Sequence, residues 1–218
     1  MIETNIENIL SELPSGVKLV AVSKFHPMED ILTAYQAGQR IFAESRPQEF
    51  AAKAVQLPQD IEWHFIGHLQ TNKLKMVLPH AYMVQSVDSE HLLRAIDDWG
   101  AHNDRKVRVL LELHVALEET KQGFVEEEIL DVLFRADSFR NIVFCGLMGM
   151  ATNTDDEDQL AADFGRIRDF KDYLDDLFPE LEQFRELSIG MSGDWRTAVR
   201  FGSTMVRIGT AIFGERAY

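Results

Sequence analysis

The chain has 218 residues, 45% of them hydrophobic and 27% charged, with a formal net charge of −14. That balance fits a globular protein, and a chain of this length buries roughly 70% of its unfolded surface without disulfide staples. The negative charge repels phosphate backbones and anionic bilayers, so no nucleic acid and no membrane is expected as a partner, although a local basic site can still hold one phosphate.

The first segment, MIETNIENIL, has acidic residues and no long apolar core, so it reads as neither signal peptide nor anchor. Residues 2–13 predict a helix outside the main body. From there, short apolar runs rich in β-branched residues alternate with longer amphipathic stretches. Strands are predicted at 17–23, 40–43, 62–66, 82–86, 107–115, 142–148, 186–189 and 205–208. Helices are predicted at 28–37, 46–57, 89–99, 126–136 and 157–177. In 89–99 the stripe is Leu92, Leu93, Ile96 and Trp99, with Ser89 placed as N-cap. LQTNKLKM adds a helical stretch whose Lys73 and Lys75 read as a solvated face. TNTDDEDQ reads as a solvated loop entering a helix N-terminus, where carboxylates suit the dipole. Cys145, the single cysteine, lies in the sixth apolar run and reads as an inert core residue. With no disulfide possible, a reduced, cytoplasmic setting is expected. No stretch reaches the roughly 20 apolar residues of a membrane helix.

About eight strand–helix units in alternation predict parallel strands with helical crossovers, in the α/β class. Eight such units close into a (β/α)8 TIM-type barrel, here one domain over residues 1–218 with an extra N-terminal helix. An open doubly wound sheet is the alternative. It usually carries a glycine-rich turn after the first strand, and this first strand runs into Ser-Lys-Phe-His.

A parallel barrel places its site at the C-terminal strand ends. Lys24 follows the first strand directly, so its amine reaches the mouth, where apolar walls lower an amine's pKa and free it as a nucleophile toward a carbonyl. The plain alternative is an idle surface lysine. SIGMSGDW and MVRIGTAIFG cluster Gly190, Ser192, Gly193, Gly209 and Thr210 at the exits of the last two strands. Exposed backbone N–H groups and hydroxyls there make an anion cradle, or the glycines only make tight turns. Lysine and cradle together suggest a phosphorylated aldehyde, and pyridoxal 5′-phosphate (PLP) fits that description. Arg207 lies two residues before Gly209, on the same strand face, and could donate to the pyridine nitrogen. Equally, it could pair with a barrel carboxylate such as Glu44 or Glu112.

The stretches AVSK, FAESRPQE, WHFIGHLQTNK, GLMGMAT, SIGMSGDW and GSTMVRIGTAIFGER resemble, in order and over nearly the whole chain, the YggS-like pyridoxal-phosphate homeostasis proteins. These are similar to the N-terminal barrel of alanine racemase. The resemblance implies a barrel holding PLP as a Schiff base on Lys24. It implies phosphate binding at Ser192, Gly209 and Thr210, and Arg207 facing the pyridine nitrogen. Ser45 stands where many members have asparagine, and His68 where proline is common. The family is regarded as a PLP carrier that affects amino-acid and keto-acid balance, with PLP-dependent apoenzymes as recipients. No catalytic residue and no established reaction come with the resemblance, and a monomer is expected.

The competing reading is a PLP-dependent enzyme acting on small amino acids, racemase-like. Racemisation needs a second acid/base on the opposite ring face, which in alanine racemase a further domain supplies, and 218 residues leave no room for one. A phosphate-binding barrel enzyme without PLP is a third reading. His64 and His68 in HFIGH straddle a strand exit with no third ligand nearby, so no metal site is expected. His64 is placed at the barrel mouth. Met148, Met150 and Met191, near strand exits, read as packing.

Overall fold

The computed structural model describes residues 1–116 and 122–215. Eight strands account for the eight apolar runs: β1 (Lys18–Val22), β2 (Ile41–Glu44), β3 (Glu62–Phe65), β4 (Met83–Val87), β5 (Val107–Leu113), β6 (Ile142–Gly149), β7 (Glu186–Met191) and β8 (Met205–Ile208). All pair in parallel and in sequence order, and β8 returns to β1, from Lys18 opposite Met205 to Ala21 opposite Ile208, so the sheet closes as a barrel.

Strands buried on both faces explain why runs such as LVAV are continuously apolar rather than alternating. Leu19 and Ala21 of β1 pack outward against the helices, while Val20 and Val22 face the barrel interior. Around the sheet run α1 (Ile2–Glu12), α2 (Met28–Gln36), α3 (Pro47–Gln56), α4 (Leu74–Val77), α5 (Glu90–His102), α6 (Glu126–Leu133), α7 (Glu157–Leu177), α8 (Trp195–Arg200) and α9 (Thr210–Phe213). The leading helix α1 buries Ile6 and Ile9 beside α2 and α9, and Asn5 Nδ2 donates to the Ile212 carbonyl at 2.9 Å. Ser89 caps α5 as expected, its Oγ accepting from the Leu92 N–H at 3.3 Å.

Several boundaries differ from the sequence reading for local reasons. β2 includes Glu44, a charge that looked like a strand exit but is fully buried against Lys53. β5 stops at Leu113 because His114 and Glu112 exchange backbone hydrogen bonds with Phe124 instead of continuing beside β6. β7 runs two residues further than expected, to Met191. α8 and α9 were not anticipated, since helices of six and four residues are too short to show a period. Gly146 sits at the register shift between β5 and β6 with φ +144°, and a Cβ there would fall 1.9 Å from the Glu186 carbonyl oxygen. Only glycine fits that approach. Among the described residues, no helix is long and apolar enough to cross a membrane.

Candidate functional site

The exit of β1 is a tight turn, closed by the His26 N–H on the Ser23 carbonyl at 3.1 Å. Lys24 lies in it. The next residue, Phe25, has φ +68°, a left-handed conformation that a bulky side chain adopts only when its surroundings impose it. Two clamps do so. The Phe25 N–H donates to Glu49 Oε1 at 2.8 Å, and the Arg46 guanidinium lies 4.2 Å above its ring. On the other side of Lys24, Ser23 Oγ donates to Glu44 Oε1 at 2.7 Å. The buried Lys53 ammonium donates to the Ser23 carbonyl, to Glu44 and to Glu49 at 2.7–2.8 Å. Burial pushes the Glu44 carboxyl above the usual carboxylate range, with Lys53 and then Ser23 pulling it back. The backbone on both sides of Lys24 is thereby held in place. Sequence reasoning missed this support; the Glu49–Lys53 spacing of four was visible, but its burial was not.

Across the mouth, the exits of β7 and β8 meet. Gly190, with φ +96°, lets α8 pack closely, since a Cβ there would lie 2.6 Å from that of Ala198. Ser192 Oγ then accepts the Gly209 N–H at 3.2 Å and joins the two exits. At Gly209 a Cβ would stand 3.1 Å from the Val22 carbonyl oxygen, whereas at Gly193 it would meet nothing within 4 Å. There is thus open space beside Gly193, while the Cβ side of Gly209 is packed against β1.

Lys24, Ser192, Arg207, Gly209 and Thr210, the five residues singled out from the sequence, all line one cavity of about 280 Å³. Met148, Met150 and Met191, expected as packing, form part of its apolar wall. Arg207 is 4% exposed. Its Nη1 donates to the Ser188 carbonyl at 2.6 Å and to Ser188 Oγ at 2.7 Å, and its Nη2 to the Gly149 carbonyl at 3.0 Å. Burial lowers the guanidinium to about 10, with Glu112 and Asp194 opposing, so it stays cationic at neutral pH. Neither ion pair open to it from the sequence is formed: Glu44 pairs with Lys53, and Glu112 makes no ion pair with Arg207. The Glu112 carboxyl, buried and near Asp88, is pushed up to about 7.

The structure corrects one placement. His64 lies not at the mouth but inside the barrel toward its N-terminal end, where it lines a different cavity. Residues at the beginnings of strands, Lys18, Ile41, Glu62 and Met205, share that cavity. His68 is in the loop after β3, with Nδ1 3.0 Å from Asp88 Oδ2. Cys145 also faces the N-terminal end, and burial pushes its thiol up to about 11, well into the unreactive range. Ser45 does not line the mouth cavity; its backbone packs where a Cβ on Gly67 would fall 2.0 Å from the Ser45 carbonyl oxygen. Lys73 ends a single 3₁₀ turn and the exposed Lys75 lies in α4, both away from the cavity.

The cavity suits a phosphorylated aldehyde. It offers a primary amine at one side, hydroxyls of Ser192 and Thr210 beside glycine backbone at another, and a fixed cationic donor below. Comparison with known proteins agrees with that reading. Residues 1–217 match the family described as alanine racemase, N-terminal domain. A protein of Vibrio alginolyticus named pyridoxal phosphate homeostasis protein is 38% identical over 100% of this chain and 98% of its own length. PipY of Synechococcus elongatus, solved with PLP bound, superposes with a TM-score of 0.90 at 34% identity, covering 98% of this chain and 100% of PipY. Alanine racemase of E. faecalis, 18% identical, shares the barrel alone, with a TM-score of 0.77 over 98% of this chain and 57% of the racemase.

Proposed function

The chain belongs to the pyridoxal phosphate homeostasis proteins, within the alanine racemase N-terminal domain family, and from that membership we propose that it binds PLP and serves intracellular PLP homeostasis. In this reading the whole of residues 1–218 acts as one barrel domain, as a cytoplasmic monomer that buffers the cofactor for PLP-dependent apoenzymes. When bound, the cofactor supplies an aldehyde that condenses with a primary amine, releasing water, and a phosphate for hydrogen-bond donors to hold. Lys24 provides the amine. Ser192 and Thr210 provide hydroxyl donors for the phosphate, Gly209 lines its place and holds Ser192 Oγ through its own N–H, and Arg207 faces the ring nitrogen as a permanent donor that keeps it unprotonated. The observation that carries the proposal is that these five residues line one cavity.

The make-up of that cavity favours a carrier over a racemase. Among the described residues lining it, the only ionisable side chains are Lys24 and Arg207. Arg207 stays cationic at neutral pH and cannot take up a proton, so the wall offers no second acid/base to act from the opposite face. A cavity open to solvent at the mouth also lets the amine–aldehyde linkage hydrolyse, as release requires.

The test is spectroscopic. Purified protein mixed with PLP should gain a visible absorption band that borohydride abolishes, with the reduced label mapping to the peptide that contains Lys24. Lys24→Ala should lose the band and keep its fold, because Lys24 is at a strand exit outside the packed core. Label on another lysine would overturn the assignment. Lys24-dependent loss of α-deuterium from labelled amino acids, at turnover rates, would replace the carrier reading by the enzymatic one.

A further inference from the structure

The chain has eight methionines, all among the described residues, and exposure sorts them. Met83, Met148 and Met205 are buried, and Met28, Met76 and Met150 are half-buried. Only Met1, 95% exposed, and Met191, 38% exposed, stand open to solvent. Met1 has no part in the mouth cavity, whereas Met191 lines it. Met191 ends β7, opposite Arg207 in the β7–β8 register and directly before Ser192. It therefore adjoins both the residue assigned to the ring nitrogen and a hydroxyl assigned to the phosphate. Its backbone is held from both sides. Asp194 Oδ1 accepts the Met191 N–H at 2.5 Å, and the Met191 carbonyl accepts the Asp194 N–H at 3.2 Å.

Thioethers and thiolates are the side chains a peroxide oxidises most readily. Cys145 does not compete, because it is buried and burial pushes its thiol up to about 11. At a methionine the sulfur lone pair attacks one oxygen of the peroxide. An S–O bond forms, the O–O bond breaks, and the departing hydroxide takes the proton from the new S–OH and leaves as water. Sulfur loses two electrons and the peroxide gains them. The product is a sulfoxide, polar where the thioether was apolar. Its oxygen only accepts hydrogen bonds, and so does an ionised phosphate. Beside Ser192 the two compete for the same hydroxyl, and their negative oxygens repel.

We propose that Met191 is an oxidation site at the barrel mouth, where hydrogen peroxide converts it to the sulfoxide and so lowers the affinity of the cavity for PLP. This rests on the PLP reading above. The chain is treated with hydrogen peroxide before any PLP is added, freed of peroxide, mapped by peptide mass and then titrated with PLP by absorbance. Met1 and Met191 should gain one oxygen first, and affinity should fall roughly tenfold in step with Met191. Methionine sulfoxide reductases with dithiothreitol should restore it. Met191→Leu, whatever its starting affinity, should keep that affinity through the same treatment, since leucine is of similar volume and has no sulfur. Unchanged affinity once Met191 is oxidised, a loss that follows Met150 instead, or an equal loss in the leucine variant would each overturn the proposal and leave the PLP reading standing. Absence of PLP binding before peroxide would overturn both.

Discussion

Lys24 depends on residues that never enter the mouth cavity. Lys53 holds Ser23, Glu44 and Glu49 together beneath the turn, and it is the only cation bonded to the buried Glu44 among the described residues. Lys53→Met should therefore cost about 3–5 kcal/mol, since it strands a buried carboxylate. Urea unfolding measures that loss, and the variant should also bind PLP more weakly because the Lys24 turn loosens. Glu112 carries a pH signature. Its folded value of about 7 lies above the ordinary 4.5, so the folded chain holds this proton longer than the unfolded chain does. Its contribution to stability is greatest below about pH 4.5 and is lost as pH rises to about 7. Glu112→Gln should flatten that part of the Tm–pH curve and leave the variant more stable than the parent above pH 7. An unchanged slope would place the titration elsewhere.

At the scale of elements, the helices are set by local chemistry that can be tested one cap at a time. Ser89 satisfies one of the orphan N–H groups of α5, so Ser89→Ala should cost about 1 kcal/mol, read as a shifted urea midpoint with unchanged slope. α7 was legible at both ends, Glu157 to Leu177, because Asp156 caps it through the N–H groups of Asp158 and Gln159 and its apolar residues repeat over many turns. α8 and α9 were not legible. They are short connectors held by packing on Gly190 and on α1, not by their own periodicity. Their neighbouring turns nonetheless supply Ser192, Gly193, Gly209 and Thr210, which the clustering of small residues did reveal.

At the scale of the whole molecule, a net charge of −14 acts against compaction. Screening should relieve that repulsion, so Tm should rise between about 0.01 M and about 0.15 M salt, where the Debye length shrinks from roughly 30 to 8 Å. A Tm that falls with salt would mean that specific ion pairs outweigh the repulsion. Barrel closure is what brings distant segments to one site: β1 and β8 pair directly, which sets Lys24 within the same cavity as Arg207 and Gly209 although they are far apart in the chain.

The alternation of apolar runs and amphipathic stretches determined, by itself, about eight parallel strands with helical crossovers, each run fitting a strand buried on both faces, while the pairing of β8 with β1 decided for a closed barrel over an open sheet. It also exposed the lysine and the small-residue turns, which break that pattern at strand exits. Only the tertiary structure decided which buried charges are paired. Arg207 turned out to bond carbonyls and a serine, Glu44 to hold Lys53, and His64 to lie toward the N-terminal end with no partner on Nε2. Pairing of buried polar groups depends on which side chains point into the same few ångströms of the barrel. That is set by strand register and tilt around the closed sheet, which no local stretch of sequence encodes.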